Sequence, residues 1–152
     1  MKIIVLFDSA FGNTEKIASA IAEPLKEFHE VVFKKFINAD PANLHEYDLI
    51  IAGSPTQKFG PLSAVKKILK KIPPGSLSGV KVAAFDTRID LETIESKAFR
   101  KIVDKGGYAA KPILSILKKK GGTPVAEPEG FFVMGEKGPL REGEMQKASE
   151  WI

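Results

Sequence analysis

The sequence predicts an α/β domain in three layers, an open parallel sheet held between helices. Three observations carry this. Short apolar runs rich in β-branched residues recur along the chain, at Ile3–Phe7, Val31–Phe36, Leu49–Ala52, Val80–Phe85 and, broken, at Thr123–Val133. Segments with helical spacing separate most of them, the pattern of successive βαβ units. The runs are also nearly continuous in their hydrophobicity rather than alternating, as strands buried on both faces require.

The first run, Ile3–Phe7, is followed by "DSAFGNTEK" (8–16) and then by Ile17, Ile21, Leu25 and Phe28, whose spacings of four, four and three place them on one helical face. After the third run, Leu62, Val65, Leu69 and Ile72 repeat that spacing until "PPGSLSG" (73–79) stops the helix with its prolines and glycines. Between Leu91 and Lys120, "DKGGY" interrupts two helical stretches, the second with Ile113, Ile116 and Leu117 as its apolar stripe. Met145, Ala148 and Ile152 mark a closing helix, and 38–48 carries no assignable element. At 152 residues and 43% hydrophobic composition, the chain is expected to form one domain over 1–152.

Composition narrows the chemistry. With no cysteine, the chain has no thiolate nucleophile, disulfide or cysteine-ligated metal centre, so redox chemistry requires a borrowed group. No apolar run approaches the roughly 20 residues of a spanning helix, which predicts a cytoplasmic protein without a membrane partner. The net charge is +4, and the lysine clusters at 34–35, 66–67, 70–71 and 118–120 contain no interleaved aromatic residue on which bases would stack, so no nucleic-acid partner is expected. His29 and His45 have no ligand-like companions, and "GSLSG" places Leu77 where a nucleophile elbow needs serine.

In an open α/β sheet, ligands sit beyond the carboxyl ends of the strands. The loop after the first strand offers short polar side chains in Ser9, Asn13 and Thr14, a permissive backbone at Gly12, and the start of a helix with its free N–H groups. This describes a phosphate cradle or an ordinary helix N-cap. Its single glycine fits neither a Walker loop nor the three-glycine dinucleotide fingerprint.

Taken together, "IIVLFDSAFGNTEKIA", "YDLIIAGSPTQKFGP" and "LSGVKVAAFDTRID" resemble, in order, the three flavin loops of flavodoxins and of the flavodoxin-like domains of flavodiiron proteins. The end of the chain, "GFFVMGEKGPLREGEMQKASEWI", resembles the closing strand and helix of that family. The resemblance implies a doubly wound, flavodoxin-like sheet of five parallel strands in the order 2-1-3-4-5, non-covalent FMN, and an electron carrier acting as a monomer between redox partner proteins, a reductase and an acceptor. It assigns the phosphate to Ser9, Ala10, Phe11, Gly12, Asn13 and Thr14. Pro55, Thr56, Gln57, Lys58, Phe59 and Gly60 would border the ring and ribityl chain, and Asp86, Thr87 and Arg88 would line the pyrimidine end. The alternative is an FMN-dependent NAD(P)H:quinone oxidoreductase, whose second loop "SPTQKFG" also resembles.

Two departures from the family pattern set further expectations. "FDTRID" has no aromatic residue after Phe85, leaving Phe59 and Ile89 to pack against the ring. The positive charge of the chain, with Lys58 and Arg88 in the flavin loops, contrasts with acidic flavodoxins. One cation roughly 8 Å from the flavin at an effective dielectric of about 20 stabilises an added negative charge by about 2 kcal/mol. Lysine faces imply partners with acidic docking surfaces, and the helix carrying Lys66–Lys71 is the expected docking face. Gly60 after Phe59 makes a peptide reorientation beside the ring cheap, through which a neighbouring carbonyl would accept a hydrogen bond from flavin N5–H.

Overall fold

In the computed structural model, residues 1–152 are described, with the side chains of Val103 and Asp104 and the surroundings of Gly106 outside the described set. The strands are β1 (Lys2–Phe7), β2 (Glu30–Lys35), β3 (Leu49–Pro55), β4 (Lys81–Ile89), β5 (Thr123–Pro124) and β6 (Glu129–Val133). The helices are α1 (Asn13–Leu25), α2 (Ser63–Lys70), α3 (Lys97–Gly106), α4 (Ala110–Lys119) and α5 (Glu144–Ser149). All pairings between strands are parallel, in the order β2-β1-β3-β4-β5, with β6 also on β4.

The broken fifth run is thus one edge position filled in two pieces. β5 pairs with Lys81 and Val82 at the start of β4, and β6 pairs with Phe85–Ile89 at its end. Pro124 and Pro128 explain the break, since proline cannot donate to a ladder and is tolerated at a sheet edge.

Alternation along the strands creates two cores. Ile4, Leu6, Ile50, Ala52, Val82 and Ala84 face α2 and α4, represented by Val65, Leu69, Ile113 and Leu117. Ile3, Val5, Phe7, Ile51, Ala83 and Phe85 face Ile17 and Ile21 of α1 and Ala148 of α5. These are the three layers that the sequence predicts, and the carboxyl ends of β1, β3 and β4 lie together at one edge of them.

Three expectations need correction. α1 ends at Leu25, and Phe28 is 80% exposed in the turn beyond it rather than on the buried face. Of the closing-helix stripe, Ala148 is buried as expected, but Met145 on α5 and Ile152 beyond it are exposed; Glu144 and the following Trp151 face inward in their place. Trp151 meets Phe85 and Phe131 edge-on, with all three ring centroids 6.1–6.2 Å apart, so an aromatic triad closes the sheet. The unassigned 38–48 stretch forms a short 3₁₀ segment, Pro41–Glu46, capped by Asp40 through the Ala42 N–H.

One glycine is dictated by this packing. Gly53 on β3 is the register partner of Phe85, and a Cβ placed on it would stand 2.1 Å from the Phe85 ring. Gly53→Ala is therefore expected to destabilise the fold by about 1–3 kcal/mol in urea titration. Gly60→Ala, where the nearest atom to an added Cβ is Lys66 Nζ at 3.8 Å, is expected to shift stability by less than about 0.5 kcal/mol. Equal effects at the two positions would contradict the packing described.

Candidate functional site: a cavity at the carboxyl ends of the strands

At the end of β1 the chain turns into α1 through Gly12, whose φ of 92° suits glycine. The Gly12 N–H donates to Ser9 Oγ at 2.9 Å, which folds the loop back on itself and leaves the serine proton for another acceptor. No side chain caps the first turn of α1. Asn13 instead donates from Nδ2 to the Lys137 carbonyl at 3.2 Å, and Thr14 Oγ1 shares a 2.8 Å hydrogen bond with Thr87 Oγ1. The ordinary N-cap reading of this loop is thereby set aside: its polar side chains tie the loop to β4 and to the loop after β6. One of the two threonine protons is used between them, and the other is left to donate.

The loop after β3 is a two-residue reversal. Gln57 and Gly60 exchange backbone hydrogen bonds of 2.8 and 3.1 Å. Between them Lys58 and Phe59 adopt φ of 49° and 66°. Two successive left-handed residues define the turn that hairpins normally build from Asn-Gly, and non-glycine residues there cost on the order of 1–3 kcal/mol each. Gly60 has both its N–H and its C=O bonded to Gln57, and the left-handed backbone lies at Lys58–Phe59. Thr56 donates its N–H to the Thr87 carbonyl at 2.8 Å and accepts the Ala109 N–H on Oγ1 at 3.0 Å. This fixes the second loop to β4 on one side and to α4 on the other.

Asp86, Thr87 and Arg88 belong to β4 itself rather than to a loop. Asp86 is fully buried and accepts three hydrogen bonds: from Arg88 Nε at 2.7 Å, Arg88 Nη2 at 2.8 Å and the Ala110 N–H at 2.8 Å. Burial pushes its carboxyl above the ordinary value, while Arg88 and the Ala110 amide pull it back. The Arg88 guanidinium lies 3.9 Å from the centroid of the Tyr108 ring and crosses Gly130, where a Cβ would stand 2.1 Å from Nε. Arg88 is thus a paired charge packed between a carboxylate, a ring and the backbone of β6. The figure expected for an isolated Arg88 cation is therefore an upper bound, because Asp86 offsets that charge at contact distance.

Together these elements enclose a cavity of about 540 Å³. Of the residues predicted for the site, Ser9, Ala10, Phe11, Asn13, Thr14, Pro55, Thr56, Gln57, Lys58, Phe59, Thr87 and Arg88 line it. Gly12 and Gly60 shape the loops from outside the lining, and Asp86 lies beneath it. Ile89 lines the cavity, as the sequence suggests. Ile94, Phe99, Gly107, Tyr108, Val133 and Glu136 line it as well, and sequence reasoning missed them. Although "FDTRID" has no aromatic residue after Phe85, an aromatic ring lines the cavity at Tyr108, some twenty residues later, where Gly107 with a φ of 88° turns α3 into α4. The signal was the helix break in "DKGGY", which delivers a ring to the site.

Removing one member of the buried pair tests this construction. Asp86→Ala leaves Arg88 without its counterion and is expected to cost about 3–5 kcal/mol in urea unfolding. The double variant Asp86→Ala/Arg88→Leu is expected to be more stable than Asp86→Ala alone. Additive losses in the double variant would show that the two groups act independently.

Comparison with known proteins agrees with this geometry. The flavodoxin family model matches residues 5–86, more than half of the chain, from β1 through Asp86. A flavodoxin from the domain Archaea superposes with a TM-score of 0.75 at 21% identity, covering 99% of this chain and 93% of the other. Oxidised flavodoxin 1 from Bacillus cereus gives 0.74 at 21% identity over 99% and 93%. Flavodoxin 2 from Bacillus cereus gives 0.74 at 25% identity over 98% and 93%. The match favours an electron carrier over an NAD(P)H:quinone oxidoreductase, and it brings with it a flavin cofactor and redox partner proteins. With its strand order, its three loops and this family match, the chain belongs to the flavodoxin family of electron-transfer proteins.

Proposed function

We propose that the flavin is FMN, held non-covalently in the cavity, and that the protein carries electrons between a reductase and an acceptor as a cytoplasmic monomer. The observation that carries this reading is the start of α1: first-turn amides without a side-chain cap, next to the hydroxyls of Ser9 and of the Thr14–Thr87 pair, at the rim of an apolar, aromatic cavity. Such amides and a helix dipole favour a compact anion. The cavity volume lies within the roughly 300–1,000 Å³ of small-molecule sites.

Bound FMN supplies the one- and two-electron chemistry that a cysteine-free chain lacks. The protein's part is to hold and orient. Ser9, Ala10, Phe11, Gly12, Asn13 and Thr14 form the anion cradle in this reading. Phe59 and Tyr108 present aromatic surfaces to the ring, Ile89 and Ile94 add apolar wall, and Pro55, Thr56, Gln57, Lys58 and Gly60 set the path of the second loop. Thr87 and Arg88 face the cavity from β4, with Asp86 fixing the arginine. Among the described residues no helix is long and apolar enough to cross a membrane.

Titration with FMN and with riboflavin, followed by quenching of flavin fluorescence, tests the reading. FMN is expected to bind more tightly than riboflavin. A hydrogen bond to a charged group contributes about 1.5–3 kcal/mol, so Ser9→Ala or Thr14→Val is expected to weaken FMN roughly 10- to 150-fold while leaving riboflavin nearly unaffected. Tyr108→Leu is expected to weaken both flavins alike. Equal affinity for FMN and riboflavin would remove the phosphate cradle, and no uptake of either would remove the reading.

A further inference from the structure

We infer that α3 is the docking surface of this protein, and that its occupant is a redox protein with an acidic face around an apolar centre. The inference rests on the proposed flavin site for the partner's redox character, and on α3 itself for the contact. α3 differs from every other helix of the fold. α1, α2, α4 and α5 each bury residues against the sheet, whereas all described residues of α3 are exposed except the partly buried Arg100.

The helix is nevertheless amphipathic. Phe99 and Ile102, three residues apart and therefore neighbours on its surface, are 51% and 56% exposed. Phe99 also lines the cavity, so this apolar stripe runs directly into the flavin site, where Phe59 adds another exposed ring. Lys97, Lys101 and Lys105, four residues apart, form a second stripe flanking the first. Lys58 on the strained turn, and Lys66, whose Nζ lies beside Gly60, extend positive charge around the mouth. None of these five lysines belongs to an ion pair among the described residues; the ion pairs of the protein lie elsewhere, at Glu23, Asp86, and the cluster of Asp90, Glu129, Glu144, Arg141 and Lys147.

An apolar centre with a charged rim is the anatomy of a transient interface, and the sign of the rim selects the partner. Here Lys58, Lys97, Lys101 and Lys105 outnumber the exposed acidic groups beside them, Glu95 before α3 and Glu136 of the cavity lining, so the complementary surface is acidic. The α2 lysines expected from the sequence to be part of the docking face adjoin this surface at Lys66. Of the Lys66–Lys71 cluster, Lys66 lies beside Gly60 of the second loop, while Val65 and Leu69 bury the inner face of α2 in the core. α3 is tied to the flavin loops through its own C-terminal joint: Arg88 stacks on Tyr108, and Thr56 receives the Ala109 amide. A partner seated on α3 therefore touches the wall of the cavity.

The test uses rubredoxin as an acidic redox probe and cytochrome c as a basic one, with the full chain both with and without FMN. Binding of the oxidised probes at low ionic strength is measured by calorimetry, and electron transfer from the reduced FMN-loaded protein by stopped flow. The expected result is binding of rubredoxin in preference to cytochrome c, weakened roughly tenfold or more by Lys101→Glu/Lys105→Glu and by added salt. Ile102→Ser is expected to weaken binding without steepening the salt dependence. FMN affinity should be unchanged in all variants, and circular dichroism should confirm that they fold. Unchanged rubredoxin binding in the charge-reversed variant would overturn the inference, as would preference for cytochrome c. Binding of phosphatidylserine vesicles with the same dependence on these lysines, in place of rubredoxin, would overturn it too. Loss of FMN uptake with α3-dependent rubredoxin binding retained would discard the flavin reading and keep the docking surface.

Discussion

The buried pair of Asp86 and Arg88 is the interaction on which the site depends. A carboxylate with no exposure to water is sustained by three donors: two from the guanidinium and one from the first residue of α4. Each partner does a second task. Asp86 anchors the N-terminus of α4, and Arg88 carries the ring of Tyr108 on one side and crosses Gly130 of β6 on the other. One ion pair thus positions the cavity floor, the aromatic wall and the edge strand. Burying it costs solvation that only near-complete hydrogen bonding offsets. This accounts for a strand end whose side chains bond to each other rather than reaching outward.

Around this anchor the three loops are linked to one another before any ligand is considered. Thr14 meets Thr87, Thr56 meets both Thr87 and Ala109, and Asn13 reaches the carbonyl of Lys137. The cradle, the turn at Lys58–Phe59 and the Tyr108 joint therefore hold a common geometry. Preorganisation of this kind lowers the ordering cost of binding and suits a carrier that must keep its flavin through repeated partner encounters.

Much of the fold was legible because periodicity and breakers reported it: apolar runs gave the strands, the last of them visibly broken, and the helical spacings gave α1, α2 and α4. The loops were legible as a set, through their order on successive strands. What escaped depended on contacts between distant residues. Phe28 completes a helical stripe in sequence, yet the helix stops before it. Asp86 and Arg88 read as two separate charged residues at a cavity, yet they are hydrogen-bonded to each other. Tyr108 belongs to no flavin loop in the sequence and arrives through a turn at Gly107. The strain at Lys58 and Phe59 is invisible beside a glycine that looks better suited to carry it.

Phosphorus NMR of the FMN-loaded protein tests most directly the claim that the helix start at Gly12 is an anion cradle. Free FMN carries a phosphate whose second ionisation falls at about pH 6. If the uncapped amides of α1 and the hydroxyls of Ser9 and Thr14 hold the dianion, its resonance should stay constant from pH 5 to pH 8, roughly a unit or more on either side of that value. A resonance that titrates as in free FMN would place the phosphate in solvent and contradict the account.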